Sequence, residues 1–196
     1  LLLIGICICF LLFFMVQIYA KYLTSAEGST QLTIANWNIL VNELSIKNNT
    51  DISKSIVPVF PGNEHIASGI IAPTVEGYFD LNLDVSDADV SFQYEITVSP
   101  DENSSVKDLV AIGYSIDDGE KITFENYNTP ISEIIELSSN VETRKVRVYI
   151  MWNDEESSQT MTNADDTIST TSENPPLLHV NVSFTQITEL PTVSPS

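Results

Sequence analysis

Cysteine is almost missing from this chain. Of 196 residues only Cys7 and Cys9 carry a thiol, and both fall within the first ten positions. Beyond them neither a disulfide frame nor a thiolate metal site is available, so the rest of the chain must be held by its core. Histidine is equally scarce, with His65 and His179 alone. A zinc protease of the His-Glu-x-x-His type needs two histidines one helical turn apart so that both reach one metal. Here Glu64 precedes His65 but Ile66-Ala67-Ser68-Gly69 follow it, and both histidines are expected to face solvent. Seven glycines form no phosphate-cradling loop, and Ser68-Gly69 lacks the Gly-x-Ser-x-Gly elbow of a serine nucleophile. No catalytic residue stands out, and the expectation is a protein that is not an enzyme.

Positive charge is short as well. Eight Lys or Arg stand against 27 Asp or Glu, for a formal charge of −19. A surface that negative repels nucleic acid and anionic lipid, and suits divalent cations, cationic partners or solubility alone.

What the chain does have, first, is an unbroken apolar run from Leu1 to Val16, followed by Gln17-Ile18-Tyr19-Ala20-Lys21. Such a run meets lipid or the export machinery, and its length lies between a signal peptide and a bilayer span of about 20 residues. Ala20 is small and Ile18 aliphatic, which fits the positions before a signal-peptidase cut, so cleavage between Ala20 and Lys21 is favoured over a retained anchor. The chain starts at Leu1 with no Met and no basic leader, so a longer gene product is expected and orientation is not read from flanking charge. Ile precedes each cysteine, which argues against acylation. The expected layout is a signal peptide or anchor at 1–20, one domain at 21–188 and a loose tail at 189–196.

After Lys21 the dominant period is two. In Asp89-Val90-Ser91-Phe92-Gln93-Tyr94-Glu95-Ile96-Thr97-Val98 every even position is apolar and every odd one polar, the pattern of a half-buried strand. Phe79 to Asp84 alternates likewise, and with Val85 to Ala88 as a short connection the two segments read as a hairpin. Further strands are expected at Leu32 to Val41, Leu109 to Ile116, Lys121 to Glu125, Val146 to Trp152 and Leu178 to Ile187, with a short helix or strand at Ile131 to Leu137. Asp118-Gly119 marks a tight turn, since both residues tolerate positive φ. Stretches 42–68 and 154–174 read as irregular. The fold class that follows is all-β, an antiparallel two-sheet sandwich of jelly-roll type, because stacking two one-faced sheets buries both apolar faces. Phe79, Leu81, Leu83, Val90, Phe92, Tyr94, Ile96, Trp152, Val180, Val182 and Phe184 are expected in one core, with Asp80, Asn82, Gln93 and Glu95 outside. Trp37 and Trp152 both read as core rather than ligand platforms, having aliphatic neighbours two positions away.

Acidic clusters remain. Asp154, Glu155, Asp165 and Asp166 flank one loop and are the candidate calcium ligands, although no twelve-residue calcium loop is present; Asp84, Asp87 and Asp89 crowd a second connection. No other cofactor is indicated. Asn48-Asn49-Thr50, Asn103-Ser104-Ser105 and Asn181-Val182-Ser183 match the glycosylation sequon, a short and common pattern.

The order of segments resembles a known family. Tyr19-Ala20-Lys21-Tyr22, Ala35 to Asn42, Ile71-Ala72-Pro73-Thr74-Val75-Glu76-Gly77-Tyr78-Phe79-Asp80-Leu81, Val148 to Asn153, Asn163 to Thr167 and Val180 to Gln186 together look like the bacterial secreted proteins processed by the signal peptidase SipW. That group includes the biofilm-fibre protein TasA and the camelysins (CalY). The resemblance implies a jelly-roll domain exported by signal peptidase, at the cell surface or in the extracellular matrix, and in TasA-like members joined into fibres through a donated N-terminal strand. It implies self-association or other matrix proteins as partners, contact with membrane only through the N-terminal segment, and no nucleic acid. Thr74 stands where the family usually has glycine. The camelysin branch carries a metallopeptidase label, whose ligand set is not visible in this sequence. Two other functions compete with a matrix protein: a secreted metallopeptidase, and a membrane-anchored adhesin or pilin-like subunit.

Overall fold

A computed structural model describes residues 35–47, 50–155, 167 and 172–188, all within the unit Ala35–Ser196. The expected leader, its cleavage point at Ala20 and Lys21, and the tail lie outside the described residues. Strands follow in chain order: β1 (Trp37–Val41), β2 (Leu44–Ser45), β3 (Glu76–Ala88), β4 (Phe92–Pro100), β5 (Leu109–Ile116), β6 (Ile122–Thr123), β7 (Ile131–Ile135), β8 (Thr143–Trp152) and β9 (Leu178–Gln186). Single 3-10 turns occupy Ser53–Ser55 and Leu137–Ser139.

The fold is all-β and built from two antiparallel sheets. One has six strands in the order β2-β1-β3-β8-β5-β6; the other has three, β7-β4-β9. Period-two alternation turns one face of each strand inward, and the two inward faces share one core, a β-sandwich arrangement. Phe79, Leu81 and Leu83 of β3 and Val146, Val148 and Ile150 of β8 meet Phe92, Tyr94 and Ile96 of β4 and Ile131 and Ile135 of β7 there. The opposite face of β3 and β8 is polar. β5 breaks the alternation: a bulge between Ala111 and Gly113 leaves Leu109 to Gly113 buried throughout. Gly113 is required at that bulge, because a Cβ there would lie 2.4 Å from the carbonyl oxygen of Ile122 in β6.

Several expectations are corrected. β3 and β4 are not a hairpin: β3 continues through Val85 to Ala88 and pairs with β1 and β8, while β4 belongs to the other sheet. Alternation identifies a strand and its inward face, but two consecutive strands with apolar faces can equally be placed in opposing layers. The turn after β5 centres on Asp117 and Asp118, which hold φ of 50° and 58°, with Gly119 donating to the Ile116 carbonyl at 2.8 Å. Asp117 is favoured at that place because its carboxylate accepts from the Lys145 backbone N–H at 2.9 Å and from Arg144. Strand Lys121 to Glu125 contracts to β6, and Ile131 to Leu137 divides into β7 and a 3-10 turn. Trp152 is buried but in a separate cluster with Val106 and Leu109, Val90 is half-buried, and Val180, Val182 and Phe184 are only partly covered. Trp37 is 41% exposed rather than core. Asp80 and Gln93 are half-buried; Asn82 and Glu95 are exposed as expected.

Candidate functional site

The incomplete covering of β9 and β1 defines the site. β9 pairs on one side with β4 over nine residues, Phe92↔Gln186 through Pro100↔Leu178, and is the last strand of its sheet. Among the described residues no strand pairs with its other side. The strand reads Leu-His-Val-Asn-Val-Ser-Phe-Thr-Gln, without one Asp, Glu, Lys or Arg. Its inward residues Leu178, Val180, Val182 and Phe184 are half-buried, whereas the equivalent residues of β4 are buried. Among the described residues three strands face six, and beside β9 lies a groove of about 500 Å³ lined by Trp37, Ile39, Ile46, Lys47, Val182, Ser183 and Phe184.

Aromatic contacts border the groove. Phe92 of β4 meets Trp37 edge-on at 5.8 Å and Phe184 at 6.0 Å, so the buried ring is flanked by rings from the two opposing sheet edges. Such pairs fix ring geometry as well as burying area. Lys47, just past β2, is exposed and makes no ion pair among the described residues.

Arg144, Lys145, Arg147 and Lys121 are committed to ion pairs. Arg147 holds Asp80 with two hydrogen bonds, 2.7 and 2.9 Å, and lies 4.0 Å over the Tyr78 ring. Hydrogen bonds from Arg147 hold the Asp80 carboxyl below its ordinary range despite partial burial. Lys121 pairs with Glu76 at 2.8 Å over the Tyr149 ring, and Lys145 pairs with Asp118 at 2.7 Å. Arg144 joins Asp117 to Glu133 of β7, and Glu133 accepts from the buried Tyr94 hydroxyl at 2.7 Å, so this chain of polar groups ties the two sheets together. Burial first, and Glu133 second, push the Tyr94 phenol well above its ordinary range and keep it a donor.

Of the four expected calcium ligands, two lie among the described residues. Asp154 and Glu155 are exposed just past β8; Asp165 and Asp166 lie outside the described residues. Among the described residues no three His, Cys, Asp or Glu side chains form a metal-binding group. Asp84, Asp87 and Asp89 serve local bonds: Asp84 accepts from the Ser86 N–H and hydroxyl, Asp87 from Asn38 and Asp89 from the Asn36 N–H. His65 faces Glu64 at 3.0 Å in an exposed loop, and His179 is exposed on β9 opposite Ser99. Among the described residues no helix is long and apolar enough to cross a membrane. The chain matches no protein-family model and no curated protein. The groove itself was missed in the sequence, although one signal was present: a nine-residue uncharged stretch in a chain with charge −19.

Proposed function

We propose that this chain is an exported structural protein of the cell surface or extracellular matrix, a jelly-roll subunit that assembles by strand addition. Residues 21–34 of one copy, freed by cleavage between Ala20 and Lys21, pair along β9 of the next. One observation carries this reading: the long, uncharged, one-sided edge of β9 above a groove whose apolar wall is half covered. Soluble β-proteins blunt such edges with charge, proline, bulges or short strands. Both edges of the six-stranded sheet follow that rule, since β2 and β6 are two residues each. β9 does not, and an added strand would satisfy its backbone groups and cover Val182 and Phe184 in one step. Residues 21–34 span about 45 Å when extended, more than the roughly 30 Å of a nine-residue strand.

Further support comes from the resemblance to TasA and the camelysins, whose TasA-like members assemble through a donated strand. The partners in this reading are signal peptidase during export, then other copies of the chain or other matrix proteins, with membrane met only through residues 1–20 and nucleic acid repelled. The reading includes no catalysis and no cofactor. Electron microscopy of the chain beginning at Lys21 is the test, against the same chain with residues 21–34 removed. Fibres are expected from the first and none from the second. Fibres from both would sink the reading.

A further inference from the structure

We infer that Tyr78 of β3 and Tyr149 of β8 form an oxidative modification site, at which hydrogen peroxide and a peroxidase join the two rings by a carbon–carbon bond and so staple the six-stranded sheet. The two tyrosines lie directly opposite each other across the β3–β8 pairing. Their ring centroids are 6.4 Å apart with the planes tilted by 59°, inside the roughly 4.5–7 Å range of an aromatic contact. Both rings stand on the polar outer face of the sheet and are half-buried. Each is held by a cation: the Arg147 guanidinium lies 4.0 Å over the Tyr78 ring, and the Lys121 ammonium 4.8 Å over that of Tyr149. Those cations are fixed in turn, Arg147 by Asp80 and Lys121 by Glu76. The rings are therefore placed before reaction, which favours coupling within the chain over coupling between chains.

The other described tyrosines lack this arrangement. Tyr94 is fully buried and its hydroxyl donates to Glu133; Tyr114 packs against Phe124; Tyr127 is 38% exposed and, among the described residues, in no ring pair. The reaction uses no group of the protein beyond the two phenols. Each ring gives up one electron and its hydroxyl proton, leaving two phenoxyl radicals. These couple at the ring carbons beside the hydroxyls, and the hydrogen on each of those carbons moves to oxygen, restoring both phenols. The product has lost two hydrogen atoms, and one hydrogen peroxide is reduced to two waters. The link closes a loop of about 70 residues, and a cross-link of that reach restricts the unfolded chain as a disulfide does. The described residues contain no cysteine, so this pair supplies a covalent tie that thiols cannot.

Coupling needs neither strand addition nor a second copy, so its outcome does not depend on assembly. The chain beginning at Lys21, kept dilute, is treated with a haem peroxidase and limiting hydrogen peroxide, and the monomer is isolated by size. Its intact mass is expected to fall by two hydrogens, with dityrosine fluorescence and a linked pair of peptides carrying Tyr78 and Tyr149. Tyr78→Phe and Tyr149→Phe keep the ring packing and are each expected to lower dityrosine in the monomer about 10-fold, since coupling then rests on chance encounters. Tyr127→Phe is expected to leave it unchanged. Circular dichroism checks the fold of each variant, and where one fails to fold the peptide map of the parent decides the same point. The cross-linked monomer is expected to unfold at a higher urea midpoint than the untreated one. Dityrosine confined to covalent dimers, a treated monomer without it, or a linked pair drawn from any other tyrosines overturns the site. An unchanged urea midpoint overturns the staple.

Discussion

Strand β8 carries Arg144, Lys145 and Arg147 within ten residues, whereas β9 carries no charged side chain in nine. Both strands are long and both turn one aliphatic face inward. They differ in their neighbours: among the described residues β8 is paired on both sides, by β3 and β5, while β9 is paired only by β4. On β8 each cation finds acids already fixed by the sheet or an adjoining turn, Asp80 on β3 and Asp117 and Asp118 beyond β5, so charge fastens neighbours that are in place. On an open edge a charge would have to be desolvated when a further strand arrives. In the proposed reading, leaving β9 uncharged keeps that edge receptive, and the comparison teaches how charge is placed on a strand whose two neighbours are already fixed.

The largest effect expected sharpens the contrast in burial. Phe92→Ala should cost about 3–5 kcal/mol in denaturant unfolding, because the ring is buried between the sheets and its removal leaves a cavity. Phe184→Ala, on the half-covered face, should cost only about 1–2 kcal/mol in the monomer. Equal losses would show that the β9 face is as closed as the β4 face.

Next comes the charged strand. Arg147→Met removes both hydrogen bonds to Asp80 and the contact with Tyr78, for an expected loss of about 1–3 kcal/mol. The pH dependence has a definite sign. Asp80 has its carboxyl lowered from 3.8, chiefly by Arg147, so its stabilising share is complete above that value and lost as pH falls through the lower folded value. Asp80→Asn should therefore be less stable than the parent at neutral pH and lose less on acidification below about pH 4. A parallel acid decline in both proteins would remove Asp80 from the account.

A smaller gain is expected at Thr74. Pro73 and Thr74 form the centre of a turn closed by the Val75 N–H on the Ala72 carbonyl at 3.1 Å, and Thr74 holds φ of 63° there. That conformation is costly for a β-branched residue, so Thr74→Gly should raise stability by about 0.5–1 kcal/mol, the relief exceeding the added chain entropy of glycine. An unchanged or lower unfolding midpoint would show that the turn relaxes around threonine.

The smallest effect on the fold tests the edge itself. Ser183→Lys places an ammonium on the exposed side of β9 and should change monomer stability by less than about 0.5 kcal/mol, while blocking strand addition as edge lysines do. Undiminished assembly of this variant would show that β9 is not the acceptor.

Much of the strand content was legible. β5 runs Leu109–Ile116 as expected from residues alone, and β9 differs from expectation by one residue. The alternation in Phe92 to Val98 correctly placed Phe92, Tyr94 and Ile96 inside. The same signal misplaces Trp37: its neighbours at two-residue spacing, Ile39 and Val41, are buried, but Trp37 stands at the groove, packs edge-on against Phe92 and stays 41% exposed. Asp84, Asp87 and Asp89 are close in sequence, but Asp84 bonds locally to Ser86, while the bonds of Asp87 to Asn38 and of Asp89 to Asn36 depend on where β1 runs beside β3.

The sequence by itself determined that the chain is all-β, which residues of most strands face inward and how negative the chain is, because alternation, composition and charge are local properties of the chain. Only the tertiary structure decided that β3 and β4 lie in opposing sheets, that six strands face three, and that Trp37, Lys47 and Phe184 meet at one groove. Those outcomes depend on which apolar face finds another to bury it, and that competition is settled between residues far apart in the chain.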